Sequence, residues 1–169
     1  YALIFGLLLI FYVQPVKNSW DEQIHFDNAY KLSFTKNIDW TEAALNIKNI
    51  NTVTCNTKAE YAELREYMNQ AGKVQVYTEK KENIVPSYTV LAYVPQAIFL
   101  KLGRIFHFSF SLMYAFGKIG NLLLYISVMF WAIKIAKIKQ LFLLFLTLMP
   151  TNLFLASSYT YDTVVFSFF

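Results

Sequence analysis

A single cysteine, Cys55, stands among 169 residues, so the chain forms no intrachain disulfide and no cysteine-based metal site. Glycine is scarce, at 5 residues, and neither a phosphate-cradling glycine loop nor a dinucleotide fingerprint is present. No Ser-His-Asp set and no internal repeat can be picked out. Charge is thin too: 15% of the residues are Asp, Glu, Lys or Arg, against about 25% in an ordinary soluble domain. These absences remove the familiar soluble enzyme classes.

What the chain has instead is apolar surface. Hydrophobic residues make up 56% of it and aromatic residues 18%. Nearly all the acidic residues fall between Asp21 and Glu82, with long apolar runs on either side. A soluble domain of this size has too little interior to bury such runs, whereas a bilayer accepts them. The net charge of +4 could point to nucleic acid, but basic residues in membrane proteins gather at the membrane surface. No nucleic-acid partner is expected; membrane lipids are.

The apolar pattern divides the chain. Residues 1–13 form an apolar stub that would extend only about 20 Å as a helix, short of the roughly 30 Å hydrocarbon core. It is expected to be the outer part of a truncated first span. Residues 14–90 form a polar loop, in which Thr57 and Glu60 have capping-box spacing before a helix that Gly72 ends. Val74–Tyr77 alternates like a short strand. Residues 91–111 are apolar, yet Lys101 and Arg104 would each cost about 2.5–3.5 kcal/mol at a bilayer centre. An interfacial helix fits them better. Residues 112–135 and 141–158 then read as a second and a third span, the latter kinked at Pro150. Residues 136–140 form a turn, and residues 159–169 lead to a fourth span.

The turn carries Lys134, Lys137 and Lys139 within and beside it, and short lysine-rich connections stay in the cytoplasm. By parity the polar loop, Lys118 and the segment around Asp162 face outside. The expected fold is an all-α, polytopic transmembrane helical bundle, an N-terminal fragment with a large external first loop.

Two acidic sites therefore share the external face: Asp21-Glu22 after the first span and Asp162 after the third. Ionisable groups at such a boundary are functional candidates. The same residues also have a purely structural reading, because Ser19-Trp20-Asp21-Glu22 matches a capping box and Asp162 could simply open a helix. His25 lies four residues after Asp21, on the same side of a helix; the pair could contact a divalent metal or an acceptor, although two ligands do not make a metal site. Lys118 and Arg104 lie where a lipid phosphate head group would sit, or where they would snorkel to lipid.

The order of short motifs carries a resemblance. Asp21-Glu22-Gln23-Ile24-His25, Tyr93-Val94-Pro95-Gln96, Leu102-Gly103-Arg104, Gly117-Lys118-Ile119-Gly120-Asn121 and Ser157-Ser158-Tyr159-Thr160-Tyr161-Asp162 occur in series. The series resembles a family of uncharacterised bacterial predicted membrane proteins, a domain of unknown function. That family is similar in layout to GT-C glycosyltransferases, including protein O-mannosyltransferases. The resemblance implies a membrane glycosyltransferase that moves a sugar from a polyprenyl-phosphate donor to a hydroxyl of a glycan, lipid or protein. It implies Asp21 or Glu22 as catalytic base, Asp162 as a second external carboxylate, and Lys118, with Arg104, as the cation at the donor phosphate. Lys118 stands where the family more often has arginine, and lysine lacks bidentate phosphate geometry. Two rivals remain: a non-catalytic flippase or export subunit for lipid-linked sugars, and a membrane hydrolase of lipid-linked phosphate.

Overall fold

The computed structural model describes residues 1–14, 16, 19, 21–33, 55–71 and 88–168, and every regular element among them is a helix. The short strand expected at Val74–Tyr77, and Gly72 as a helix stop, lie outside the described residues.

The longest helix organises the rest. It is α6 (Phe110–Ile135), 26 residues, preceded by α1 (Ala2–Leu8), α2 (Glu22–Leu32), α3 (Lys58–Ala71), α4 (Tyr88–Ala92) and α5 (Val94–Ile105). After it come α7 (Gln140–Thr147), α8 (Pro150–Ala156) and α9 (Asp162–Phe168). At about 1.5 Å per residue α6 is near 39 Å long, enough to cross a roughly 30 Å hydrocarbon core. Among the described residues it is the one helix both long and apolar enough to do so.

Glycines decide how closely the neighbours approach α6. On α1, Gly6 lies against the Leu122 side chain, and the π turn Leu9–Val13 carries the chain on to Gln14, whose carbonyl accepts a hydrogen bond from Lys118. Moving up α1 therefore means moving back along α6, so the two run antiparallel. α5 is antiparallel to α6 as well. Gly103 faces Met113, Gly117 faces Leu100, and Gly120 faces the Pro95 carbonyl.

The helix expected over residues 91–111 is divided in the structure. Pro95 occupies the first turn of α5, where its missing N–H costs nothing, and α4 ends just before Tyr93. At 12 residues α5 reaches about 18 Å. It packs lengthwise on the start of α6. Lys101 is exposed, as expected, but Arg104 turns inward and donates to the Ser33 carbonyl at 2.6 Å and to Ser33 Oγ at 2.8 Å.

Pro150 does more than kink the stretch 141–158. α7 stops at Thr147, α8 starts at Pro150, and Met149 between them has extended ψ of 131°. Proline cannot donate to the carbonyl four residues back, which is that of Leu146. Asn152 Nδ2 donates to this carbonyl at 2.8 Å, and Tyr125 Oη donates to the Thr147 carbonyl at 3.2 Å. A break in an apolar setting is tolerated when its freed carbonyls are answered in this way.

Two apolar clusters hold the helices together. Phe26, Tyr30, Leu100, Met113, Tyr114 and Tyr159 join α2 and α5 to the start of α6. Ile10, Leu122, Tyr125, Leu153 and Ala156 join α1 and α8 to its middle. The far end of α6 and α7 show apolar side chains outward, including Phe130, Trp131, Phe142 and Phe145.

Candidate functional site

The acidic residues meet beside the first half of α6. Gln14 ends the π turn after α1, Asp21 and Glu22 open α2, and the run Ser157–Asp162 follows α8. At the opposite end Lys139, with φ of 64°, turns the chain from α6 into α7.

The Glu22 N–H donates to the Ser19 carbonyl at 3.3 Å. Asp21 has φ of 54°, a left-handed conformation that aspartate tolerates better than most residues. Ser19 was expected to cap α2 with Glu22 at the third helical position. In the structure Asp21 is the cap residue, Glu22 is the first helical residue, and only half of the box forms: the Ser19 N–H donates to Glu22 Oε2 at 3.3 Å. The other carboxylate oxygen is claimed by a cation.

That claim comes from Lys118. Its Nζ lies 2.5 Å from Glu22 Oε1, and both side chains are wholly buried. The ammonium also donates to the Gln14 carbonyl at 2.8 Å and lies 5.1 Å from the Tyr114 ring centre. Tyr159, beside it, donates to the Tyr114 carbonyl at 2.6 Å. One lysine thus ties together the end of the π turn after α1, the start of α2 and α6. A charge pair so far from water survives only because each partner is hydrogen-bonded as well.

Outside this enclosure lies a more open group. Asp21 is exposed, and Asp162 and His25 are half-buried. His25 Nδ1 pairs with Tyr93 Oη at 2.6 Å, and its ring meets Tyr161 edge-on at 5.3 Å between centres. Burial pushes the His25 pKa below the ordinary 6.5, opposed by the charges of Asp162, Asp21 and Glu22 in that order. Both acidic sites therefore act on one imidazole. Burial raises the Tyr93 pKa, while a hydrogen bond from the Asn28 side chain works the other way. Asp162 is held by Thr160, whose Oγ1 donates to Asp162 Oδ2 at 3.0 Å and accepts from the Asp162 N–H at 3.1 Å. Gln96 Nε2 fixes the same loop through the Thr160 carbonyl at 2.9 Å.

Of the residues singled out in the sequence, Asp21, Glu22, His25, Lys118 and Asp162 come together around the start of α2. Arg104 does not; it sits at Ser33 beyond the other end of that helix, with its guanidinium 5.6 Å from the Tyr30 ring centre. No group of three His, Cys, Asp or Glu side chains among the described residues is placed to hold a metal ion.

Tyr93, Tyr161, Gln14 and Asn28 belong to the site but were not among the candidates read from the sequence. Tyr93 and Tyr161 did stand within the ordered motifs, yet a tyrosine near an apolar run reads first as an interfacial aromatic. Gln14 had no local signal beyond being polar at the end of an apolar stretch.

Comparison with curated proteins returns no match, and neither does comparison with solved structures. A family model does match, over residues 3–169, almost the whole chain. The chain belongs to the family of predicted membrane proteins designated DUF2142.

Proposed function

We propose that this chain is part of a multi-pass membrane glycosyltransferase of the GT-C type. In this reading the start of α2 and the Asp162 loop form an external site that transfers a sugar from a polyprenyl-phosphate donor to an acceptor hydroxyl. α1, α6 and the α7–α8 pair would cross the bilayer in alternating directions. The antiparallel packing of α1 and α6 supports this, as do the lysines of the opposite turn, which favour the cytoplasm.

The observation that carries the proposal is the different fate of two adjacent carboxylates. Glu22 is buried against Lys118, whereas Asp21 is exposed beside His25. Asp21 is therefore the base. It takes the acceptor proton as the acceptor oxygen bonds to the sugar C1, and the C1–oxygen bond to phosphate breaks with its electron pair leaving on phosphate. Attack opposite the leaving group inverts the anomeric centre. Asp162 would hold a hydroxyl of the acceptor or donor sugar, and Tyr161 offers an exposed ring beside it. Lys118 is a positioning residue in this scheme, fixing the Asp21 turn through Glu22.

The test is transfer from a lipid-linked donor by the full-length protein in membranes. Asp21→Asn should lose about 10²-fold or more in rate while keeping its thermal stability. Transfer at the wild-type rate by this variant would overturn the base assignment.

One observation favours a second reading, a non-catalytic flippase or export subunit. Interrupted helices such as α7–α8 line transport paths in many transporters. Here the carbonyls freed at the break are already bonded by Asn152 and Tyr125, which leaves them little to offer a passing solute. Lipid-linked sugar crossing the membrane without any transfer would favour the flippase.

A further inference from the structure

A cavity of about 450 Å³ is lined by the π turn after α1, α3 and the start of α6. Its volume falls in the range of small-molecule sites, about 300–1,000 Å³. Ile10, Phe11, Leu112 and Ala115 give it an apolar wall, to which Leu64 of α3 adds.

Its polar atoms are gathered on the remaining side. Arg65 lines the cavity and is exposed, and Tyr61 lines it with a buried hydroxyl that has no hydrogen-bond partner. Ser109 and Ser111 complete this rim, their hydroxyls 3.4 Å apart. Glu60 accepts from the Asn56 N–H at 2.7 Å at its own helix start, and Glu66 accepts from Gln70 at 3.2 Å and lines a neighbouring hollow that Arg65 also borders.

Position along α6 supplies the second argument. Leu112 and Ala115 belong to the first turns of the helix long enough to span a membrane, and Phe11 and Leu112 are themselves exposed. The apolar wall therefore lies along the start of that helix, with the arginine of α3 beside it. A ligand suited to this arrangement has a long apolar chain and an anionic head. Arginine matches the phosphate fork and makes charge-assisted bonds to it. Ala115 and Lys118 are three residues apart on α6 and hence neighbours on its surface.

We infer that this cavity binds a phosphate-bearing membrane lipid, its chain against Ile10, Phe11, Leu112 and Ala115 and its phosphate at Arg65, with Tyr61 as a further donor. The cavity stands apart from the transferase reading, because lipid occupancy is measured without turnover.

The experiment is native mass spectrometry of the full-length protein released from nanodiscs doped with polyprenyl phosphate, phosphatidylglycerol or the uncharged polyprenol. Saturable retention of either phosphate lipid, with little polyprenol, is expected. Arg65→Gln should weaken it about tenfold, the effect of losing one charge-assisted contact, and Arg65→Lys should restore part of that loss. Ala115→Phe, which fills the cavity, should weaken it independently. Because Arg65 is exposed, the Gln variant leaves the packing intact. Preference for polyprenyl phosphate identifies a lipid-linked donor as the occupant; preference for phosphatidylglycerol identifies a structural lipid and leaves the cavity assignment standing. Equal retention of polyprenol, or wild-type retention by Arg65→Gln, overturns the inference.

Discussion

Lys118 Nζ lies 2.5 Å from Glu22 Oε1 with no exposure of either side chain, so two residues 96 positions apart form one buried charge pair. Gln14 is held through the same ammonium, and the Asp21 turn is held through Glu22.

Breaking that pair from one side should be expensive. Lys118→Met or Glu22→Gln alone leaves a charge buried without its partner, at a cost of about 3–5 kcal/mol. The double variant Lys118→Met with Glu22→Gln should recover much of the loss, because neither charge then remains. Thermal unfolding of the full-length protein in detergent, arranged as a double-mutant cycle, reads the coupling directly. Additive losses would mean that the two side chains act independently.

His25 gives the site a definite pH response. Its folded pKa lies below the ordinary 6.5 because burial disfavours the imidazolium. Above 6.5 both folded and unfolded chains carry a neutral ring, and its contribution to stability is flat. As pH falls through 6.5 the unfolded chain takes up the proton first, so stability drops until the lowered folded pKa is passed. Melting temperature recorded across this interval should show the drop in the wild type and lose it in His25→Gln. Asp162→Asn removes the largest of the charges holding the His25 pKa up, so the imidazole should titrate at still lower pH. An unchanged His25 titration, followed by nuclear magnetic resonance, would place Asp162 too far away to matter.

Packing of α5 on α6 can be tested at two glycines with opposite expectations. A Cβ at Gly120 would stand 2.6 Å from the Pro95 carbonyl oxygen, a backbone atom that cannot step aside. Alanine normally gains about 1 kcal/mol over glycine inside a helix, but overpacking costs about 1–3 kcal/mol. Gly120→Ala should therefore lower stability on balance. At Gly103 the nearest atom is Met113 Cγ at 3.0 Å, the middle of a flexible side chain. Gly103→Ala should be close to neutral or mildly stabilising. Equal effects at the two positions would contradict the contact pattern.

The proposed sidedness is open to cysteine labelling in intact cells, in a Cys55→Ser background. Asn28 and Lys137 are exposed and suit this purpose. Thr160 is buried and bonded to Asp162, so Tyr161, which is 40% exposed, is the better reporter on the second acidic segment. Asn28→Cys and Tyr161→Cys should label from outside and Lys137→Cys should not. Labelling of the first two from opposite sides would break the two-carboxylate site.

The capping box at Thr57 and Glu60 was plain in the sequence because its partners are three residues apart, and both of its bonds form, each at 3.3 Å. The Ser19–Glu22 box had the same spacing but formed only in part. Its glutamate is drawn to Lys118, a partner that no local pattern reveals. Pro150 announced a disturbance, since a missing N–H is a property of the residue itself, but Asn152 and Tyr125 decided that the disturbance would become a full break. Arg104 and Lys118 looked alike as cations near an apolar boundary. Their burial and partners separated them, and Ser33, which takes up Arg104, gave no sign beforehand.

By itself the sequence determined that this chain is helical and apolar enough for a bilayer, because hydrophobic runs, proline positions and charge placement act within a few residues of where they stand. It also determined which residues could carry chemistry, as that follows from side-chain type. Only the tertiary structure decided that Glu22 is spent on Lys118, that Asp21 and Asp162 act on the same imidazole, and that α5 lies along α6. Those outcomes depend on contacts between residues far apart in the chain, and such contacts exist only once the helices have packed.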